Sequence, residues 1–514
     1  MKKFAALLIC LAIGLAAIAI FHKESTPSPI SGSKSLTVYC AAGIKKPVEA
    51  VAKKYREEFG VEVQLQYGGT GTLLSQIRVA KRGDVFIAAD DGSVKDAQKF
   101  GAVNEVVQLA LQYPVIAVAS GNPKQIKSVK DLLRDDVKVA IANPEAASIG
   151  KITKRAMGAD WEALEKNVAV MKPTVTEITA DLTIGAVDAA VVWNSTVPQF
   201  KGVEAIKVPE FNDHTEHVSA TILTASTQPT AALHFARYLV APEKGGAIFK
   251  EKGFDPVEGD KWADRPEMIL FSGGVNRPAV EELLHEFAER EGADLSTVFN
   301  GCGILCASMK AMTNSAHPKF PDAYYACDLC FVPPVAKHFP VSVMLTETEI
   351  GIVVQKGNPK NIKTMADLAQ PKLRVGLCNA EQSTLGFMTR AMLKASALFT
   401  GIQKNVSVEV PTADFLINQM RAGGLDAAIV YKVNYQLQEQ HLDYLPIKHE
   451  GAKAVQPFAI RGNSPNKQLA GRLLALMLKN RKKFEESGFT WRGDEPPIKS
   501  ADIVLPEFLK PKAD

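Results

Sequence analysis

Cysteine is scarce in this sequence, 7 residues in 514, which excludes a small scaffold stapled by disulfides. No charge of either sign dominates: 60 lysines and arginines face 56 aspartates and glutamates, a net +4, so there is no basic footprint for nucleic acid. Past the first 21 residues no apolar run reaches 18, which leaves no material for a channel. Gly-x-Ser-x-Gly, His-Glu-x-x-His and Gly-x4-Gly-Lys-Ser/Thr are all missing. Hydrolase, zincin and nucleotidase readings therefore lack support, and the expectation is a protein that is not an enzyme. What is present is ordinary globular material, 46% hydrophobic and 23% charged, enough for about two to four domains with real cores.

Residues 1–21 pair Lys2-Lys3 with an apolar run from Phe4 to Phe21. This reads as an export signal, either cleaved near Ala17-Ile18-Ala19 or kept as an N-terminal membrane anchor. Both readings place the remainder outside the cytoplasmic membrane, in the periplasm. Cys10 lies inside the run and reads as a small hydrophobe, not a lipid attachment site. Residues 22–35 read as a flexible tether.

The rest of the chain is written twice. Residues 118–150 and 354–386 share 13 identities in 33 positions, including Gly-Asn-Pro-Lys-x-Ile-Lys at 121–127 and 357–363. Gly185–Trp193 answers Gly423–Tyr431, and Gly69-Thr70-Gly71 answers Gly301-Cys302-Gly303. The period is too long for a solenoid, so a whole unit is duplicated: copy 1 over 36–265 and copy 2 over 266–506. Within copy 1, short apolar runs at 36–40, 61–67, 84–88, 115–119, 137–142 and 189–193 read as strands, with amphipathic helices at 47–59 and 72–80 among the segments between them. Alternation of this kind predicts α/β layers around mostly parallel sheets. Ligands then bind beyond the carboxyl ends of the strands, which gathers the loops at 40–43, 68–71, 143–150 and 193–195 at one cleft. Each loop precedes a predicted helix, so backbone N–H groups can converge there on an anion without a lysine or arginine.

The strings Val38-Tyr39-Cys40-Ala41-Ala42-Gly43, Tyr67-Gly68-Gly69-Thr70-Gly71, Gly83–Asp90, Asn143-Pro144-Glu145-x4-Gly150 and Gly185–Trp193 occur in an order that resembles periplasmic molybdate-binding proteins. Those are the solute-binding subunits of ATP-driven (ABC) importers. The resemblance covers residues 36–256 well and 268–492 more loosely. It implies tandem units of the type 2 periplasmic-binding fold, each of two α/β lobes joined by two crossing segments and closing on a bare tetrahedral oxyanion. Molybdate or tungstate is the implied ligand, and an ABC-transporter permease the implied partner. Carried over by position, the oxyanion donors would be Gly43, Thr70, Ile149, Val175 and Trp193. Relatives commonly have serine at the first position and tyrosine at the last, so this chain departs from the pattern at both.

In copy 2 the same positions fall on Gly274, Cys302, Leu385, Ala413 and Tyr431. The tyrosine returns, but a thiol replaces the hydroxyl of Thr70, and a thiolate would repel a dianion. Five of the seven cysteines lie between 302 and 378. Cys302, Cys306, Cys327 and Cys330 have the spacing Cys-x3-Cys-x20-Cys-x2-Cys, open to a four-thiolate site for zinc, copper or an iron–sulfur cluster, to two disulfides, or to free thiols. His317, His338 and Asp328 are the auxiliary ligands within reach in sequence. A membrane-tethered sensor or metal-handling protein is therefore the alternative to a transport role.

Overall fold

The structure, a computed structural model, describes residues 30, 32–312, 314–436 and 438–509. The export or anchor segment and Cys10 lie outside the described residues. No described helix is long and apolar enough to cross a membrane.

The apolar runs become strands in the expected order: β1 (Ser35–Ala41), β2 (Glu62–Gly68), β3 (Val85–Ala88), β4 (Val103–Gln112), β5 (Pro114–Ala119), β6 (Val139–Ala142), β7 (Val168–Lys172), β8 (Ala189–Trp193), β9 (Val203–Ile206), β10 (Glu216–Leu223) and β11 (Asp255–Pro256). They form two sheets, β11-β4-β10-β3-β1-β2 in the first lobe and β7-β6-β8-β5-β9 in the second. The chain passes between the lobes at the β4–β5 junction and returns between β9 and β10, which makes two crossings.

The expectation of mostly parallel sheets is corrected. β1 pairs parallel with β2 and β3, and β6 with β7 and β8, but β10 is antiparallel to β3 and β4, and β5 to β8 and β9. The strands that carry the chain across enter each sheet from its opposite end, so the sheets are mixed.

Copy 2 repeats the plan with β12 (Glu267–Gly273), β13 (Asp294–Asn300), β14 (Ala323–Tyr325), β15 (Val341–Gln355), β16 (Val375–Cys378), β17 (Val406–Val410), β18 (Ala427–Tyr431), β19 (Leu442–Pro446) and β20 (Lys453–Ile460). Here the first crossing is one unbroken 15-residue strand, β15. In copy 1 the Tyr113 N–H leaves the ladder for Asn194 Oδ1 at 2.8 Å, and Pro114 has no N–H to give. Ile350 stands where Pro114 does, and the strand runs on.

Local chemistry explains why the repeat persists in sequence. The helix Lys45–Phe59 buries Val48, Val51, Ala52 and Tyr55 on one face and stops at Gly60, φ 71°; its counterpart Arg277–Glu291 stops at Gly292, φ 60°. Both use glycine's freedom in the left-handed region. In the shared Gly-Asn-Pro-Lys loop, Asn122 takes φ 43° and Asn358 φ 46°. Each bridges the backbone of the isoleucine four residues on with both amide atoms.

The copies touch through the helices Pro229–Val240, Arg277–Glu291 and Lys467–Lys479. Arg290 pairs with Glu105 of copy 1, and Arg237 of copy 1 donates to the Glu291 carbonyl at 3.0 Å. The linker is pinned by His234, whose Nε2 is 2.7 Å from Asp264 Oδ1 and whose Nδ1 is 2.7 Å from Tyr55 Oη. Burial pulls His234 down to about 4, against a smaller opposing effect of Asp264. The unfolded chain therefore binds the extra proton between pH ~6.5 and 4, and stability is complete above that window and lost within it. The expected loss is about 3 kcal/mol. Melting profiles at pH 7.5 and 4.5 should show a steeper acid loss for the unmutated chain than for His234→Gln; parallel profiles would contradict this.

Candidate functional site

In copy 1 the carboxyl ends of six strands, β1, β2, β3 (through Ala89), β6, β7 and β8, meet at one cavity of about 20 Å³. After β1, Gly43 sits in the turn Ala42–Ile44. After β2, Thr70 opens the helix Thr70–Ala80. Ser148 and Ile149 open Ser148–Met157 after β6, and Val175 opens Val175–Thr183 after β7. Trp193 ends β8 and is 2% exposed. All five residues singled out in copy 1 line the cavity, with no ionisable side chain among its walls. The first N–H groups of a helix have no partner within it, so these helix starts present donors and the positive ends of their dipoles. At about 10–15 Å³ per water-sized occupant, such a cavity has room for one or two of them and excludes a sugar or peptide.

The two lobes meet over the cavity. Gly71 and Thr72 N–H of the first lobe donate to the Ala146 carbonyl of the second at 2.9 and 3.2 Å. Thr70 Oγ1 lies 3.2 Å from Ser148 Oγ across the same seam. Ser148 was not singled out from the sequence, although a hydroxyl at a helix start in a strand-end loop was the available signal. Thr196 was also missed: its buried hydroxyl has no hydrogen-bond partner. It explains why residue 43 can be glycine. A Cβ there would come 2.9 Å from Val175 Cγ1 and 3.7 Å from Thr196 Oγ1, so the space for a serine is filled while a hydroxyl stands beside it.

Copy 2 has a matching cavity of about 10 Å³, lined by Gly274, Ala413 and Tyr431, but Cys302 and Leu385 are not among its walls. Its lining differs in one respect. Asp414 lines it, and burial pushes this carboxyl up, opposed by Arg277 and by a hydrogen bond from Asn434. Asn434 spends its N–H on Asp414 Oδ1 at 3.0 Å, which leaves its own Oδ1 unpartnered, and the buried Tyr431 hydroxyl is also unpartnered. A carboxyl and an amide oxygen thus join a wall that keeps hydroxyls and the start of the helix Ala413–Arg421.

The four-thiolate expectation is corrected as well. Among the described residues no group of three or more His, Cys, Asp or Glu side chains is placed to hold a metal ion. Cys302 Sγ contacts Cys327 Sγ at 3.1 Å. Cys306 turns instead to the Phe331 carbonyl at 3.4 Å and Tyr324 Oη at 3.7 Å. Cys330 follows Asp328, whose carboxylate caps its N–H. His338 packs on the Phe320 ring, and His317 accepts from Lys319 N–H. The six described cysteines stand as free thiols. Burial raises the Cys302 thiol, but hydrogen bonds with Cys327 and Tyr324 outweigh it and bring it below its usual range. Burial pushes Cys306 up to about 12.

A family model described as bacterial extracellular solute-binding protein matches residues 36–255 and again 269–490. A Haemophilus influenzae protein named only as a binding protein is 30% identical over 43% of this chain and 91% of its own. The molybdate-binding protein ModA of Mycobacterium bovis is 26% identical, over 48% and 94%. The sulfate-binding protein of Synechococcus elongatus is 24% identical, over 42% and 70%. Among solved structures, the periplasmic molybdate-binding protein of Azotobacter vinelandii is 19% identical, covering 43% of this chain and all of its own, with TM-score 0.39.

Proposed function

Because this chain belongs to the bacterial extracellular solute-binding proteins, with two family units in tandem, we propose that copy 1 captures a tetrahedral oxyanion, molybdate or tungstate first, outside the cytoplasmic membrane and presents it to the permease of an ABC importer. The observation that carries this reading is the small cavity of copy 1, walled by helix starts and hydroxyls with no ionisable side chain. Dipoles that need no counter-ion can hold a dianion and release it, since no buried cation is stranded when it leaves. The molybdate-binding and sulfate-binding relatives support the same ligand class. Copy 2, with Asp414 in its wall, is not a second site of this kind.

Ser148 is the side chain to test. A hydrogen bond to a charged ligand contributes about 1.5–3 kcal/mol, so Ser148→Ala should raise the Kd for molybdate by roughly 10- to 150-fold. Titration calorimetry on the full chain reads this directly. An unchanged Kd would remove Ser148 from the site, and no heat with molybdate, tungstate or sulfate in the unmutated chain would sink the proposal.

A further inference from the structure

We propose that Cys302 and Cys327 form a redox-active dithiol beside the cleft of copy 2, converted to an intramolecular disulfide by exchange with an external disulfide. The two sulfurs are 3.1 Å apart, although one opens the helix Cys302–Ala311 and the other follows β14. Sequence spacing favours neither as the other's partner; β13 and β14 flank β12 in parallel, so the residues that follow them emerge at the same end of the sheet. The Cys327 N–H donates to Cys302 Sγ at 3.1 Å, which orients that sulfur toward its partner and supports negative charge on it.

A second substitution makes room for the pair. In strand register Ala41 pairs with Gly68 as Gly273 pairs with Asn300, one residue off the alignment that set Gly274 against Gly43, so copy 1 has Ala41 and Ala89 where copy 2 has Gly273 and Cys327. A Cβ on residue 273 would overlap Cys327 Sγ, so glycine at 273 is what admits the cysteine. Both thiols are buried, at 0% and 4% exposure. Gly301, just before Cys302, abuts the Gln382 and Pro411 carbonyls of the opposite lobe. Parting of the lobes uncovers the pair, as it would uncover a ligand in copy 1.

The reaction is a two-step exchange. The Cys302 thiolate attacks one sulfur of the external disulfide, whose other half leaves as a thiolate and takes up a proton. Cys327 then gives up its proton, and its sulfur attacks Cys302 Sγ in the mixed disulfide and expels the second thiol. Two protein thiols are oxidised and the external disulfide is reduced to two thiols.

The test uses the reduced full-length chain and oxidised glutathione, followed by acid quench, alkylation under denaturing conditions and non-reducing peptide mapping. The expected product joins the Cys302 and Cys327 peptides, with Cys306 and Cys330 recovered alkylated. Cys327→Ser should accumulate glutathione on Cys302 several-fold above the unmutated chain, because the second step is blocked. Recovery of alkylated Cys302 and Cys327 after prolonged oxidation, or a dominant link to another cysteine, would overturn the proposal. If the variant fails to fold, the map of the unmutated chain decides. These outcomes do not depend on which anion copy 1 takes.

Discussion

Gly69→Ala is expected to cost copy 1 at least ~100-fold in oxyanion affinity, about 2.7 kcal/mol, while leaving the melting of the unliganded protein nearly unchanged. Gly69 precedes the helix Thr70–Ala80 with φ −66° and ψ 144°, a conformation any residue adopts, so alanine adds no backbone strain. What alanine adds is a Cβ 2.5 Å from the Pro173 carbonyl and closer still to that of Ala146. Both carbonyls belong to the opposite lobe. The clash exists only when the lobes are shut, so the variant folds but cannot close, and Ser148, Ile149 and Val175 stay away from an anion held by Gly43 and Thr70. Equal affinity in the variant would mean that closure is not part of binding. The matching change Gly301→Ala, where a Cβ would abut Gln382 and Pro411, should leave oxyanion affinity unaltered.

Glu291→Ala carries the largest expected loss of stability. The Glu291 carboxylate takes two hydrogen bonds from Arg472, at 2.6 and 2.9 Å, and both side chains are nearly sealed from water, at 2% and 6% exposure. Arg237 of copy 1 stands on the Glu291 carbonyl, so removal of the carboxylate leaves two buried guanidinium groups at the seam between the copies. Breaking such a pair costs about 3–5 kcal/mol, because the remaining charge is stranded in low dielectric. Copy 2 should melt roughly 10 °C lower. Glu291→Leu combined with Arg472→Met should recover much of the loss, since apolar replacement of both partners leaves no stranded ion of the pair. A single variant as stable as the unmutated chain would show that water reaches this seam.

Much of this architecture was legible in the sequence because it rests on local chemistry. The Gly-Asn-Pro-Lys strings mark loops in which an asparagine holds both backbone atoms of the isoleucine four residues on, and that requirement preserved the repeat in both copies. Apolar runs such as Leu36–Cys40 read as buried strands, and the loops after them as neighbours at one cleft. Strand direction was not legible, because β10 and β5 take their orientation from where the chain crosses between lobes, a non-local matter. Ser148 and Thr196 escaped because a hydroxyl near a helix start usually serves as a cap; only the fold shows that one faces Thr70 and the other stands unpartnered beside Gly43. The cysteines misled for a similar reason. Spacing pairs Cys302 with Cys306 and Cys327 with Cys330, whereas the sheet pairs Cys302 with Cys327.

Copy 2 departs from copy 1 by a few changes in an otherwise kept frame. Thr70 becomes Cys302, Ala89 becomes Cys327, and Asp414 and Asn434 enter the wall. The thiol at 302 is a weaker donor than the hydroxyl it replaces, and Asp414 brings a carboxyl into a wall that has none in copy 1.

The most direct measurement is the stoichiometry of tungstate bound to the full-length chain, read by calorimetry alongside metal analysis of the dialysed protein. The account predicts one tungstate per chain, lost in Gly69→Ala and retained in Gly301→Ala. Two per chain, none at all, or a single site that follows Gly301 instead of Gly69 would contradict it.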